Sequence, residues 1–161
     1  MATETATVNV VTADALLKSW QGHRRLTRRV IDAFPEEKLF QFSVGGMRPF
    51  SEMALEFIRM AVPIVDGVAT GKWEEFKKGE KPTTKSEILR LWDEQTAALD
   101  KKFPEIPPHR FHEVDKAFGQ WESPGIVTIQ YAIDNEIHHR GQGYVYLRAL
   151  GIEPPPFWER D

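Results

Sequence analysis

Hydrophobic residues recur at helical spacing along four separate stretches of the chain, and polar residues fill the rest of each stretch. Apolar side chains three or four positions apart share one face of an α-helix, so this pattern predicts four amphipathic helices. The first helix is predicted over 12–34, and the second begins at 49 and ends between 67 and 71. The third begins at 84 or 86 and ends at 102, and the fourth extends from 124 to about 150. The fourth carries the longest apolar stripe, formed by Ile126, Ile129, Ile133, Ile137, Tyr144, Leu147 and Leu150.

Residues with known terminal preferences mark the predicted helix ends. Thr12 or Asp14 can cap the first helix, Thr84 or Ser86 the third, and Ser123 the fourth, because their side-chain oxygens accept hydrogen bonds from free backbone N–H groups. Basic side chains of the first helix fall largely outside its apolar stripe. They are Lys18, Arg24, Arg25, Arg28 and Arg29.

The helices are predicted to form an all-α four-helix bundle in one domain at 12–161, preceded by a flexible leader at 1–11. About twenty residues rich in proline connect the third helix to the fourth, and we expect a functional loop or a crossover there. Val-rich alternation is absent, so little or no β-sheet is expected. The segment 72–79 is expected to add a helical turn that carries Trp73 and Phe76.

The composition narrows the possible chemistry. The chain of 161 residues has no cysteine, which excludes disulfides, thiolate metal ligands and cysteine nucleophiles. The formal net charge of −3, with acids and bases interspersed, argues against a nucleic-acid partner. No stretch approaches the roughly 18 apolar residues that span a bilayer, and the N-terminus lacks the basic region of a signal peptide. We therefore expect a cytoplasmic protein without a membrane partner.

Candidate chemistry concentrates in the fourth helix, in the run DNEIHHRGQ at 134–142. The adjacent His138 and His139 point about 100° apart on a helix, so one metal ion cannot easily bind both. Residues four positions apart share a face, which pairs His138 with Asp134 and His139 with Asn135. Neither pair supplies two imidazoles. Spacing alone therefore leaves a metal site and a structural role both open.

Other residues near this run have structural interpretations. Arg140 is expected to pair with Glu136 one helical turn earlier. His23 in the first helix is expected to be buried and hydrogen-bonded. Gly141 and Gly143 lie inside a helix, where glycine lowers stability relative to alanine, and this predicts a close approach by a neighbouring helix.

The run EIHHRGQGYVYLRALGIEPPP at 136–156 resembles the last helix of the DinB/YfiT-like superfamily. GGMRPFSEMALEF at 45–57 resembles the start of that family's second helix, and Trp20 and FGQWESPG at 118–125 also fit its pattern. The resemblance covers nearly the whole chain. It implies an up-down-down-up bundle that often forms a homodimer, and a divalent metal, zinc or nickel, held by one histidine of the second helix and two of the fourth.

Carried over residue by residue, the resemblance implies a metal site formed by Glu56, Asn135 and His139. His139 matches a family ligand, whereas Asn135 and Glu56 stand where the family pattern has histidine. Two hypotheses follow. The first is a metal-dependent enzyme, of the thiol S-transferase or hydrolase type, whose metal lowers the pKa of a bound thiol or water. The second is a non-catalytic bundle that has lost metal binding and acts as a small-molecule-binding or interaction protein.

Overall fold

A computed structural model describes residues 10–74, 79 and 81–161. The α-helices in these residues are α1 (Ala13–Ala33), α2 (Glu36–Gln41), α3 (Phe50–Thr70), α4 (Lys85–Lys102) and α5 (Gly125–Ala149). Two strands, β1 (Val114–Ala117) and β2 (Trp121–Pro124), form an antiparallel hairpin directly before α5. Residues 1–9 of the expected leader, and Phe76 of the expected helical turn, lie outside the described residues.

Capping interactions confirm several of the predicted helix ends. Thr12 accepts a hydrogen bond from the backbone N–H of Ala15 at 3.1 Å, at the start of α1. Thr84 and Glu87 form a reciprocal capping box at the start of α4, in which each side chain binds the backbone N–H of the other. Gly71 ends α3 in the left-handed region, with a φ of 72°.

The four long helices pack as a bundle whose directions follow from the contacts between them. Helix α1 runs antiparallel to α4, α3 runs parallel to α4, and α5 runs antiparallel to α3. The contacting pairs are Arg28–Asp93, Gln21–Asp100, Phe57–Trp92, Asp66–Lys102, Phe50–Gly143 and Val68–Gly125. In chain order the long helices therefore run up, down, down and up. This confirms the predicted all-α bundle.

Aromatic side chains fill much of the core. Trp20, Phe34, Phe50, Trp92 and Tyr146 are each at most 1% exposed, and the Phe34 and Phe50 rings stack at 5.0 Å. Burying a large apolar side chain stabilises the fold by about 1.5–3 kcal/mol relative to leaving it in water. Within the described ranges, no helix combines the length and the apolar character needed to cross a membrane.

The long connection between α4 and α5 is ordered. Two short 3₁₀ turns, Phe103–Glu105 and Pro108–Phe111, lead into the β1–β2 hairpin. The prediction that Ser123 caps α5 is wrong, because its hydroxyl instead contacts the hydroxyl of Thr128 at 2.8 Å, and Pro124 precedes the first helical residue. The hairpin and the short α2 are therefore additions to the predicted bundle.

A buried carboxylate links α1 to α5. Glu136 is 1% exposed and accepts hydrogen bonds from the Thr27 hydroxyl at 2.6 Å and the Trp20 indole at 3.2 Å. Burial raises the pKa of Glu136, whereas the charges of Arg24 and Arg140 and these hydrogen bonds oppose that rise. Arg24, which falls outside the apolar stripe of α1, is nonetheless fully buried, with its guanidinium 4.0 Å from the carboxylate. A buried charge needs such partners to offset its desolvation.

Arg140 extends this network instead of pairing directly with Glu136. It donates to the His23 carbonyl and the Thr27 hydroxyl, each at 3.2 Å, and contacts His23 Nδ1 at 3.1 Å. Arg160, near the C-terminus, contacts His23 Nε2 at 3.0 Å. Burial and the charges of Arg140 and Arg160 lower the pKa of His23 to about 4. His23 is therefore a half-buried, hydrogen-bonded residue that is neutral at pH 7.

Gly143 confirms the predicted close helix approach, whereas Gly141 does not. A Cβ atom at Gly143 would lie 2.6 Å from the Phe50 ring, and a Cβ atom at Gly141 would meet nothing within 4 Å. The two glycines therefore form a matched pair, one crowded and one open, on a single helix.

Replacement of Gly143 by alanine is expected to lower the free energy of unfolding by about 1–3 kcal/mol, because the new methyl group overpacks against Phe50. Gly141→Ala is expected to raise it by about 0.5–1 kcal/mol through helix propensity. Urea unfolding of both variants beside the parent protein measures this difference. Equal stability of Gly143→Ala and the parent would show that α3 and α5 are not this close.

Candidate functional site

The three residues implied by the family resemblance lie together between α3 and α5. Glu56 lies in α3, and Asn135 and His139 lie one turn apart on α5. The Asn135 amide nitrogen donates to Glu56 Oε1 at 3.0 Å, and His139 Nε2 lies 3.6 Å from the same oxygen. Antiparallel packing of α3 on α5 thus joins residues that are 79 positions apart in the sequence.

The guanidinium group of Arg48 contacts two of these side chains. Its Nη1 lies 2.6 Å from Glu56 Oε2, and its Nη2 lies 3.5 Å from His139 Nε2. The buried Tyr146 donates its hydroxyl to the Arg48 carbonyl at 2.9 Å, which fixes the backbone from which the arginine side chain extends. A fixed positive charge therefore lies where the family resemblance implies a metal ion.

Two further contacts orient the His139 ring. Its Nδ1 lies 2.7 Å from Gln142 Oε1, and the ring stacks on Phe57 with centroids 5.9 Å apart. With the Gln142 oxygen as acceptor, Nδ1 carries the hydrogen, and Nε2 faces Glu56 and Arg48 with its lone pair. We call the following residues the polar cluster: Arg48, Glu56, Asn135, His139 and Gln142.

The charge of Glu56 is already compensated inside the protein. Burial alone would raise the pKa of Glu56, but hydrogen bonds from Arg48 and Asn135, with the charge of Arg48, hold that pKa below its ordinary value. Each carboxylate oxygen has a donor, Arg48 at Oε2 and Asn135 at Oε1. Glu56 is therefore ionised at neutral pH without any bound cation.

The polar cluster, as arranged, does not fit a divalent metal. A metal needs several lone pairs directed at one point, whereas Asn135 turns its N–H donors toward Glu56. Arg48 adds a positive charge 2.6 Å from the carboxylate, and this charge repels a second cation. In the part of the chain that the structure describes, no group of three or more His, Cys, Asp or Glu residues is placed to hold a metal ion.

A hollow of about 600 Å³ opens beside the Arg48–Glu56 pair. Leu55, Arg59 and Met60 also line it. The Arg48 and Glu56 side chains are 44% and 28% exposed, so both reach solvent. A small molecule with an acceptor group can therefore contact the guanidinium without disturbing the core.

Sequence reasoning missed two members of the polar cluster. Gln142 left a signal, because it lies three residues after His139 and so shares a helical face with it. Arg48 left none: it precedes Pro49, outside any periodic pattern, and only the tertiary packing brings it to Glu56.

Comparison with known proteins gives consistent matches. The model of the DinB family matches residues 1–161. The Bacillus subtilis (strain 168) protein "Uncharacterized protein YjoA" is 30% identical over 152 residues, which cover 92% of this chain and 97% of YjoA. The crystal structure of YjoA, a DinB-like protein, has a TM-score of 0.75 and 18% identity in the structural alignment, which covers 90% of this chain and 97% of YjoA.

A second solved structure, a DinB-like protein from Bacillus cereus ATCC 10987, has a TM-score of 0.66 and 22% identity, and covers 89% of this chain and 95% of its own. At such identities, a likeness between structures concerns the fold alone. The chemistry of the site therefore depends on this chain's own residues.

Removal of the Arg48 charge by Arg48→Met is expected to raise the pKa of Glu56, because burial persists while the strongest opposing contact is lost. NMR titration of the glutamate carboxyl signals measures the shift. Arg90→Met, which removes the partner of the exposed Glu94, is the matched control and should leave the Glu56 pKa unchanged.

The same substitution changes how stability depends on pH. A carboxyl with a lowered folded-state pKa stabilises the fold above its unfolded pKa of about 4.5, and this stability is lost as pH falls through the folded value. We expect the parent protein to lose this increment below pH 4.5, and Arg48→Met to lack it. Identical pH profiles for the two proteins would contradict the role assigned to Arg48.

Proposed function

The chain belongs to the DinB family, and we propose that it acts there as a small-molecule-binding protein that works without a bound metal. One observation carries the proposal: the Arg48 guanidinium lies 2.6 Å from Glu56 and 3.5 Å from His139. This cation compensates the carboxylate in place of a metal ion. Because the fold supports unrelated activities, the proposal depends on these contacts and not on family membership.

The polar cluster and its hollow suit a small molecule with a hydrogen-bond acceptor. The Arg48 side chain is 44% exposed, and its N–H groups that do not contact Glu56 or His139 can donate to such a ligand. His139 Nε2 supplies an acceptor beside it. The hollow of about 600 Å³ is open to solvent and gives a small molecule access to the guanidinium.

A metal-dependent enzyme of the thiol S-transferase or hydrolase type is the second candidate. One contact favours it: His139 Nδ1 bonds Gln142, which leaves Nε2 in the orientation that a metal-ligating histidine uses. Glu56, Asn135 and His139 would then hold zinc or nickel, after Arg48 had turned into solvent. The ion would supply Lewis-acid activation of a bound thiol or water.

Homodimer formation and a cytoplasmic location are further proposals. Phe157 and Trp158 lie with ring centroids 5.3 Å apart and expose 67% and 69% of their surfaces. Adjacent exposed aromatic side chains suit contact with a second copy of the chain. A chain without cysteine needs no oxidising compartment in which to form disulfides.

Metal content tests the proposed function. After incubation with zinc or nickel and gel filtration, the untagged protein is expected to retain far less than one equivalent by elemental mass spectrometry, because Arg48 already compensates Glu56. The triple variant Arg48→Met, Glu56→His, Asn135→His is the positive control. It removes the competing charge, supplies three imidazoles and should retain the metal.

Near-stoichiometric metal in the parent protein that disappears in His139→Ala would refute the metal-free proposal. That result would establish a metal site that depends on His139, and screening for thiol-transfer and hydrolytic activity would then test the second candidate.

A further inference from the structure

A separate cavity lies beneath the β1–β2 hairpin, against α3 and the first turns of α5. Its volume is about 310 Å³, at the lower end of the range common for small-molecule sites. We call it the hairpin pocket. Its walls include Met60, Ile64, Phe118, Trp121, Thr128 and Tyr131.

A pair of hydroxyl groups interrupts the apolar lining. Ser123 and Thr128 both line the pocket, and their hydroxyl oxygens lie 2.8 Å apart. The bond between them uses one of their two hydrogens, so the second hydrogen and the free lone pairs are available to a ligand. Thr128 is only 9% exposed, so a ligand group that reaches it is shielded from water. An apolar cavity with one polar point is typical of a site that orients a small molecule.

The hairpin turn places an aromatic ring in the pocket at an energetic cost. Phe118 has a φ of 52°, and the following Gly119 has a φ of 67°. Two successive positive φ values are typical of hairpin turns that prefer Asn-Gly, and an aromatic residue is strained in the left-handed region. Such strain clusters at functional sites. Here it brings the Phe118 side chain into the pocket wall.

Trp73 supports this wall. Its ring contacts Phe118 with centroids 5.0 Å apart, and its indole N–H donates to Asp115 in β1 at 3.0 Å. A Cβ atom at Gly67 would lie 2.3 Å from the same ring, so α3 accommodates Trp73 only because this position is glycine. Arg110 binds Asp115 at 2.8 Å. The hairpin is therefore fixed over the pocket by contacts that exist without a ligand.

The hairpin pocket adjoins the polar cluster. Met60 lines both the pocket and the hollow beside Arg48, and its sulfur lies 4.0 Å from the Asn135 amide nitrogen. Tyr131 lies one helical turn before Asn135, just as His139 lies one turn after it. The apolar and polar cavities thus follow one another along the groove between α3 and α5.

We propose that the hairpin pocket binds a compact aromatic molecule that carries one hydrogen-bonding group. Phe118, Trp121 and Tyr131 offer ring surfaces for a flat ligand, and the Ser123–Thr128 pair binds its polar group. Trp121 and Tyr131 are 57% and 60% exposed, and a bound ring would cover part of that surface. The assignment names a ligand class for the small-molecule-binding function proposed above, and it rests on that function.

p-Cresol and p-xylene test the assignment, because they differ only in a hydroxyl that replaces a methyl group. Each is titrated into the protein while backbone amide signals are followed by two-dimensional NMR. We expect saturable binding of both, with shifts concentrated at 117–131 and around Met60.

Thr128→Val keeps the shape of the pocket and removes one hydroxyl. It is expected to weaken p-cresol binding about threefold to tenfold, and to leave p-xylene binding unchanged. Thr70→Val, at an exposed threonine on α3 outside the pocket, is the matched control and should alter neither. Tyr131→Lys, at the exposed rim, should weaken both ligands without affecting the fold.

The proposal is overturned if neither probe binds saturably, or if the shifts lie away from the hairpin. It is also overturned if light scattering shows a dimer that Tyr131→Lys dissociates, because a second copy would then cover the pocket. Metal content is measured separately. If the protein retains zinc and still binds p-cresol, the assignment of the hairpin pocket stands and only the metal-free function is refuted.

Discussion

The buried carboxylate of Glu136 determines how α5 is oriented in the bundle. It accepts hydrogen bonds from the Thr27 hydroxyl at 2.6 Å and the Trp20 indole at 3.2 Å, both on α1. Because neighbouring helical residues point about 100° apart, α5 cannot rotate without taking this charge away from its partners. The same orientation turns Asn135 and His139 toward α3. The polar cluster and the hairpin pocket, which both lie between α3 and α5, therefore depend on a contact made on another face of α5.

Much of the fold followed from the sequence. Apolar stripes with capping residues such as Thr12 and Thr84 marked the long helices, because burial and caps act locally. The hairpin left little signal: its strands have four residues each, too few to show alternation, and its turn contains Phe118-Gly119 instead of Asn-Gly. The pattern gave no sign that Arg24 is buried, because an arginine outside an apolar stripe is usually solvated, whereas this one lies buried beside Glu136.

The candidate site was predictable only in part. Helical spacing placed Asn135 with His139, and the family resemblance added Glu56. The decisive residue, Arg48, could not be found this way, because its contact with Glu56 depends on how the chain enters α3 and on the Tyr146 hydroxyl that holds it. A metal and an arginine are alternative ways to compensate one carboxylate. The residue types alone do not distinguish an arginine from a metal in this role, whereas the direction of each hydrogen-bond donor does.

At the centre of the polar cluster, the Arg48 guanidinium lies 2.6 Å from the Glu56 carboxylate, and we propose that it replaces a metal ion there. The most direct measurement is a crystal structure of the protein grown with excess nickel, with anomalous diffraction data collected at the nickel absorption edge. We predict guanidinium density from Arg48 against Glu56 and no anomalous peak beside it. An anomalous peak bounded by Glu56, Asn135 and His139, with Arg48 turned into solvent, would contradict this.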